Sequence, residues 1–125
     1  MSRRTFKVLV CGGRDFKKWS IIFNHLKTLH EKHNITHIIT GGADGADSYA
    51  KGCARELGIQ TVECDANWNL YGKAAGPIRN RNMLDLQPDL VIAFPGGKGT
   101  ASMKALAQQA GIEVIELESN SVITV

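Results

Sequence analysis

Three short stretches of this 125-residue sequence set paired glycines beside charged side chains, and each could cradle an anion. They are Gly12-Gly13-Arg14-Asp15, Gly41-Gly42-Ala43-Asp44-Gly45-Ala46-Asp47, and Pro95-Gly96-Gly97-Lys98-Gly99-Thr100. Glycine lets a ligand approach the backbone closely and leaves N–H groups open to it. Arg14 adds a planar fork that matches phosphate with two hydrogen bonds, and Lys98 adds a compact charge. Thr100 is placed to cap a helix or to touch a ligand. The third stretch is not a Walker A loop, because the G-x4-G-K-[ST] spacing is absent. Asp44 and Asp47 have two readings, as caps of a following helix or as acceptors for a ribose hydroxyl. A carboxylate facing phosphate would repel it, so an Asp here suits a sugar.

The segment 68–83 supplies a second group of candidates. Trp68 and Tyr71 could stack on a base, at about 1–3 kcal/mol per base; the alternative for Trp68 is a plug in the core. Arg79 and Arg81 are expected to open a helix, where the dipole disfavours a cation. That local cost suggests that an anion holds one of them there, Arg79 first, and its neighbour Asn80 joins the candidate set. His25, His30 and His33 scatter over one helix and His37 begins a strand, so no metal site and no cofactor are expected. No Ser-His-Asp or Cys-His arrangement can be nominated.

What must position these residues is a series of strands and helices. Lys7–Cys11, His37–Thr40 and Leu90–Phe94 are apolar runs, each stopped at or just after its end by a glycine pair, and they predict buried strands. Thr61–Cys64 and Glu113–Leu117 predict two more. Helices are expected from Trp19 to about Lys32, over Ala46–Leu57 with Gly58 ending it, from Ile78 to Leu86, and from Thr100 to Ala110. Asp65 to Pro77 is expected to be irregular. Nearly all-apolar strands alternating with helices imply a Rossmann-like α/β sandwich of three layers around a parallel sheet of about five strands. In such a sheet ligands sit outside the carboxyl ends of the strands, where the chain order reverses.

Composition sets the outer limits. Hydrophobic residues make up 43% and charged residues 22%, as in an ordinary globular domain. A formal charge of +3 suits an anionic small ligand and falls short of the footprint of a dedicated duplex-DNA binder. Three cysteines with no CxxC pair point to reduced thiols and a cytoplasmic protein. No apolar run approaches the ~20 residues that span a bilayer, so no membrane partner is expected. The tail 118–125 has β propensity and could add an edge strand or meet a second subunit.

Taken together, GGRDF, GGADGAD, AAGPIRNRNM and FPGGKGT resemble the SLOG superfamily of Rossmann-like nucleotide-binding domains, above all its YspA/YpsA-related branch. The resemblance implies one domain over 1–125, with a core of about 7–117. It also implies a nucleotide pocket built by the glycine loops. Distant relatives are the lonely-guy phosphoribohydrolases and the DNA-processing protein A domain. The phosphoribohydrolase pattern has an Arg four residues before a Met, then PGGxGTxxE. Arg79 before Met83 fits it, but the place of the catalytic Glu holds Met103. Methionine cannot supply the carboxylate that glycoside cleavage needs. The expected function is therefore binding of a phosphate-bearing nucleotide, either a nucleoside phosphate or an ADP-ribose or NAD derivative. The protein would act as a sensor or sequestering module and as a homo-oligomer. The alternatives are an N-glycosidase using Asp15, Asp44 or Asp47, and a binder of single-stranded nucleic acid.

Overall fold

Successive residues of a strand face opposite sides of its sheet, so a wholly apolar strand needs cover on both faces. A computed structural model describes residues 5–42 and 45–117 and shows how that cover is arranged. The strands are β1 (Lys7–Cys11), β2 (His37–Thr40), β3 (Gln60–Glu63), β4 (Leu90–Ala93) and β5 (Val114–Glu116). They form one sheet in the order β3-β2-β1-β4-β5, and every neighbouring pair is parallel.

The helices are α1 (Trp19–His33), α2 (Ala46–Leu57), α3 (Trp68–Tyr71), α4 (Ala75–Asp85) and α5 (Lys98–Gln109). Val8, Val10, Ile38, Leu90 and Ile92 pack with Ile22 and Leu26 of α1 and with Ala46, Ala50 and Cys53 of α2. Leu9, Cys11, Ile39, Val91 and Ala93 pack with Met83 of α4 and with Met103 and Ala107 of α5. The period-two split of the apolar runs thus builds two cores, one on each side of the sheet. Each large apolar side chain fully buried in this way contributes about 1.5–3 kcal/mol. Among the described residues no helix is long and apolar enough to cross a membrane.

Several expected boundaries shift, with β4 ending at Ala93, one residue early, and β5 losing a residue at each end. The third strand starts at Gln60 and ends at Glu63, one residue ahead of its expected place. The fourth helix starts at Ala75, three residues early, because the first-turn N–H groups have no acceptor within a helix and Pro77 loses nothing there. By the same logic α5 takes Lys98 and Gly99 into its first turn. The stretch expected to be irregular folds into α3 and a 3₁₀ turn, Gly72–Ala74. Asp44 and the tail 118–125 lie outside the described residues.

Helix ends fall where the residue types allow. Gly58 closes α2 at φ 72°, with its N–H donating to the carbonyls of Ala54 and Arg55. Asn34 closes α1 in the same left-handed conformation.

Candidate functional site

β1 and β4 are the neighbours at which the strand order reverses, and their carboxyl ends are joined beyond the ladder. The Phe94 N–H donates to the Cys11 carbonyl and the Gly13 N–H donates to the Pro95 carbonyl, both at 2.8 Å. The Ala46 N–H, first in α2, donates to the Gly13 carbonyl at 3.2 Å. Bare Cα atoms make these approaches possible. A methyl group on Gly12 would come within 2.6 Å of the Ala46 Cβ, and one on Gly96 within 2.2 Å of the Thr100 Oγ1. Gly45, at φ 77°, leaves 2.3 Å to the Arg14 carbonyl oxygen, so only glycine fits there. Phe16 and Phe94 stack beneath, with ring centroids 5.4 Å apart.

Above this joint lies a pocket of about 510 Å³, a size typical of small-molecule sites. Its floor is Cys11, Gly12, Gly13 and Arg14, and one wall is the first turn of α5 with Gly97, Lys98, Gly99 and Thr100. Gly97 caps α5 without a side-chain hydrogen bond, and no acidic residue lies in the first turn. A side chain on Gly97 or Gly99 would meet nothing within 4 Å. Thr100 is buried, and Asn80 beneath it donates from Nδ2 to the Gly99 carbonyl at a long 3.4 Å.

The opposite wall comes from α3 and α4: Trp68, Lys73, Arg79 and Asn80. Trp68 is 50% exposed, which removes the core-plug alternative. Arg79 lies over the Gly41 backbone and donates from Nη1 to its carbonyl at 3.4 Å, while its buried Nε has no partner. The helix-opening argument for Arg79 and Arg81 does not hold, since α4 begins at Ala75 and both lie past its first turn. Arg79 reaches the pocket; Arg81 is exposed and does not line it.

Asp47 is the one carboxylate on this pocket among the described residues, against the cations Arg14, Lys73, Arg79 and Lys98. It is 7% exposed, and α2 is capped by Gly45 with no side-chain bond, so Asp47 is not the N-cap. Four cations against one carboxylate give the pocket a field that favours an anion. The Cys11 thiol on the floor is pushed up to about 12, by burial first and by Asp47 second. It stays protonated at neutral pH and is no nucleophile.

The remaining candidates lie around this pocket. Gly41 and Gly42 line an adjoining cavity that shares Arg14, Trp68 and Arg79 with it. Asp15 and Gly96 line a shallower depression on the other flank, with Lys18. Gly45 lines none of these and serves the packing of the first loop. Met103 is fully buried in the core under α5 and presents nothing to the pocket.

Sequence reasoning missed Cys11, Lys73, Gly76, Pro77, Met83 and Ser102 as lining residues. Ser102 was within reach, four residues after Lys98 and so on the same helical face. Lys73 depends on the fold of the α3 segment, for which the sequence carries no periodicity.

The family model described as the YspA, cpYpsA-related SLOG family matches residues 6–71. The Gene 61 protein of Mycobacterium phage D29 is 37% identical over 117 residues, spanning 87% of this chain and 94% of that protein. The crystal structure of DNA processing protein A (DprA) from Streptococcus pneumoniae superposes with a TM-score of 0.75 at 21% identity. That match covers 95% of this chain and 52% of DprA, so the chain spans about half the length of that protein and shares its fold.

Proposed function

The chain belongs to the YspA, cpYpsA-related SLOG family, and from that premise we propose that its central pocket binds a phosphate-bearing nucleotide. One observation carries the reading: at the reversal of strand order, the first turn of α5, which no side chain caps, faces a pocket lined by four cations. A helix N-terminus offers N–H donors and a positive dipole end to phosphate. Lys98 and Arg79 add charge from two sides, Arg14 from the floor, and the half-exposed Trp68 offers a face to a base. Gly12, Gly13 and Gly96 hold the floor and wall in place, and Asp47 accepts from a sugar hydroxyl.

Binding of this kind suits a sensor or a sequestering module. A cytoplasmic setting is supported by free Cys11, Cys53 and Cys64. A homo-oligomer is part of the reading, and light scattering with and without nucleotide tests it. The primary experiment is thermal unfolding with nucleoside mono- and diphosphates. A ligand at 100 times its Kd stabilises by about 2.7 kcal/mol. No rise in melting temperature at millimolar nucleotide would overturn the proposal. Binding of oligonucleotides that falls steeply with salt would point to nucleic acid in its place.

A second reading, hydrolysis of the N-glycosidic bond, is favoured by the buried Asp47 on the same pocket. Its carboxylate would take a proton from the water that attacks the anomeric carbon, and that proton would pass on to the base, which departs with the electron pair of the broken C–N bond. Release of free base from nucleoside monophosphates, lost in Asp47→Asn, is the expected sign. Release that survives that change rules Asp47 out.

A further inference from the structure

The short helix α3 is built apart from the sheet that carries it. Upstream, the Cys64 N–H is tied to the Thr40 carbonyl at 2.8 Å; downstream, Ala75 and Gly76 are buried at the start of α4. Between these anchors every residue from Asn67 to Ala74 is exposed. The stretch is bonded internally. Asn67 Oδ1 accepts from the Leu70 N–H, the Asn67 carbonyl from the Tyr71 N–H, and the Trp68 carbonyl from the Gly72 N–H. Gly72 ends α3 at φ 55° and ψ −129°, angles that suit glycine, and a side chain there would meet nothing within 4 Å. An element with its own hydrogen bonds and little buried apolar contact moves at low cost.

Its composition does not suit permanent exposure. Trp68, Leu70 and Tyr71, within four successive residues, are 50%, 67% and 47% exposed. Trp19 is also exposed, but it stacks on Phe23 and meets Tyr49 edge-on. In α3 only the Trp68 ring has a footing: it lies 3.5 Å from where a Gly76 methyl would sit, and it lines the central pocket. Leu70 and Tyr71 do not line that pocket. Across its mouth, Gly97 and Gly99 of the facing wall leave open space. We propose that α3 is a flap, carried on Gly72, that pivots on the Trp68 ring and brings Leu70 and Tyr71 down over an occupied pocket. The inference rests on the nucleotide reading of that pocket. An empty pocket gives the two side chains nothing to cover, and a bound nucleotide supplies the surface. Closure also takes water from the phosphate, which strengthens its attraction to Lys73 and Lys98. Being bonded internally, the flap swings as one piece on the nanosecond-to-microsecond scale of loops, and it adds no slow step to binding.

Calorimetric titration with AMP and ADP, joined to limited chymotrypsin cleavage with the cut sites read by mass spectrometry, tests this. Saturation with the tighter of the two nucleotides is expected to slow cleavage after Leu70 and Tyr71 about ten-fold or more, because the protease takes the open form. Cleavage after Trp68 is no criterion, since a ligand in the pocket would shield that residue by direct contact. Leu70→Ala and Tyr71→Ala, at exposed positions where folding is not at stake, are each expected to weaken the same nucleotide about five-fold, although neither residue lines the pocket. If a nucleotide binds and cleavage after Leu70 and Tyr71 is not slowed, or if both alanine variants bind it as tightly as the wild type, the flap is refuted while the nucleotide pocket stands. If neither AMP nor ADP binds, both readings fall.

Discussion

The loop after β1 and the loop after β4 carry the same glycine pair and use it in opposite ways. Around the first loop the missing side chains are filled by neighbours: Gly12 by Ala46 and Phe94, Gly13 by the Pro95–Gly96 backbone, and Gly45 by the Gly13–Arg14 carbonyls. Around the second, Gly96 belongs to that packed joint, while Gly97 and Gly99 face open space at the start of α5. One set of glycines holds two loops together; the other leaves a helix end bare. A glycine-rich loop is thus two features under one composition, and what lies across from each Cα decides which.

The contrast breaks most sharply at Gly45. Gly45→Ala combines a forbidden φ with overlap on the Arg14 carbonyl, and is expected to cost about 2–5 kcal/mol in chemical denaturation. Wild-type stability in this variant would mean that the first loop is not a packed joint. Next comes Met103, which anchors α5 from below. Met103→Ala is expected to lose about 2–4 kcal/mol, read from the urea midpoint.

On the open side the losses should move from stability to binding. Lys98→Ala is expected to weaken nucleotide binding about ten-fold, near the lower range for a charged hydrogen bond, with an unchanged melting temperature. Gly99→Ala should leave stability level or raise it by less than about 1 kcal/mol, since helices favour alanine, while lowering affinity by calorimetry.

The smallest effect is one of pH. His25 on α1 lies edge-on to Phe94, at the root of the second loop, and burial pushes its pKa below the ordinary value. The unfolded chain then binds a proton more readily than the folded one. This contribution is therefore intact above about pH 6.5 and is lost as pH falls below it. Urea midpoints at pH 7.5 and 5.5 should differ less in His25→Leu than in the wild type.

Much of this was legible in the residues. Lys7–Cys11 and His37–Thr40 fold as strands over the expected spans because a β-branched run closed by glycines has few alternatives. The sheet order sets the first and third glycine loops side by side, a pairing that the alternation of strands and helices does not specify. Helix starts were less legible, since Pro77 and Gly99 look like breakers and are harmless in a first turn. The division of labour among glycines was not legible at all. Gly13 and Gly97 are identical in sequence terms, and only the partner across the joint tells them apart. The sharing of Arg14 and Arg79 by two cavities likewise depends on long-range packing, which brings residue 79 over residue 41.

The hydrogen bonds that tie the β1 loop to the β4 loop have a kinetic meaning as well. With Gly13 fastened to Pro95 and α2 fastened to Gly13, the pocket floor is set before any ligand arrives. Little backbone ordering remains for the encounter, so association should follow ligand concentration linearly with no slow phase. Discrimination between ligands would then reside in how long each stays.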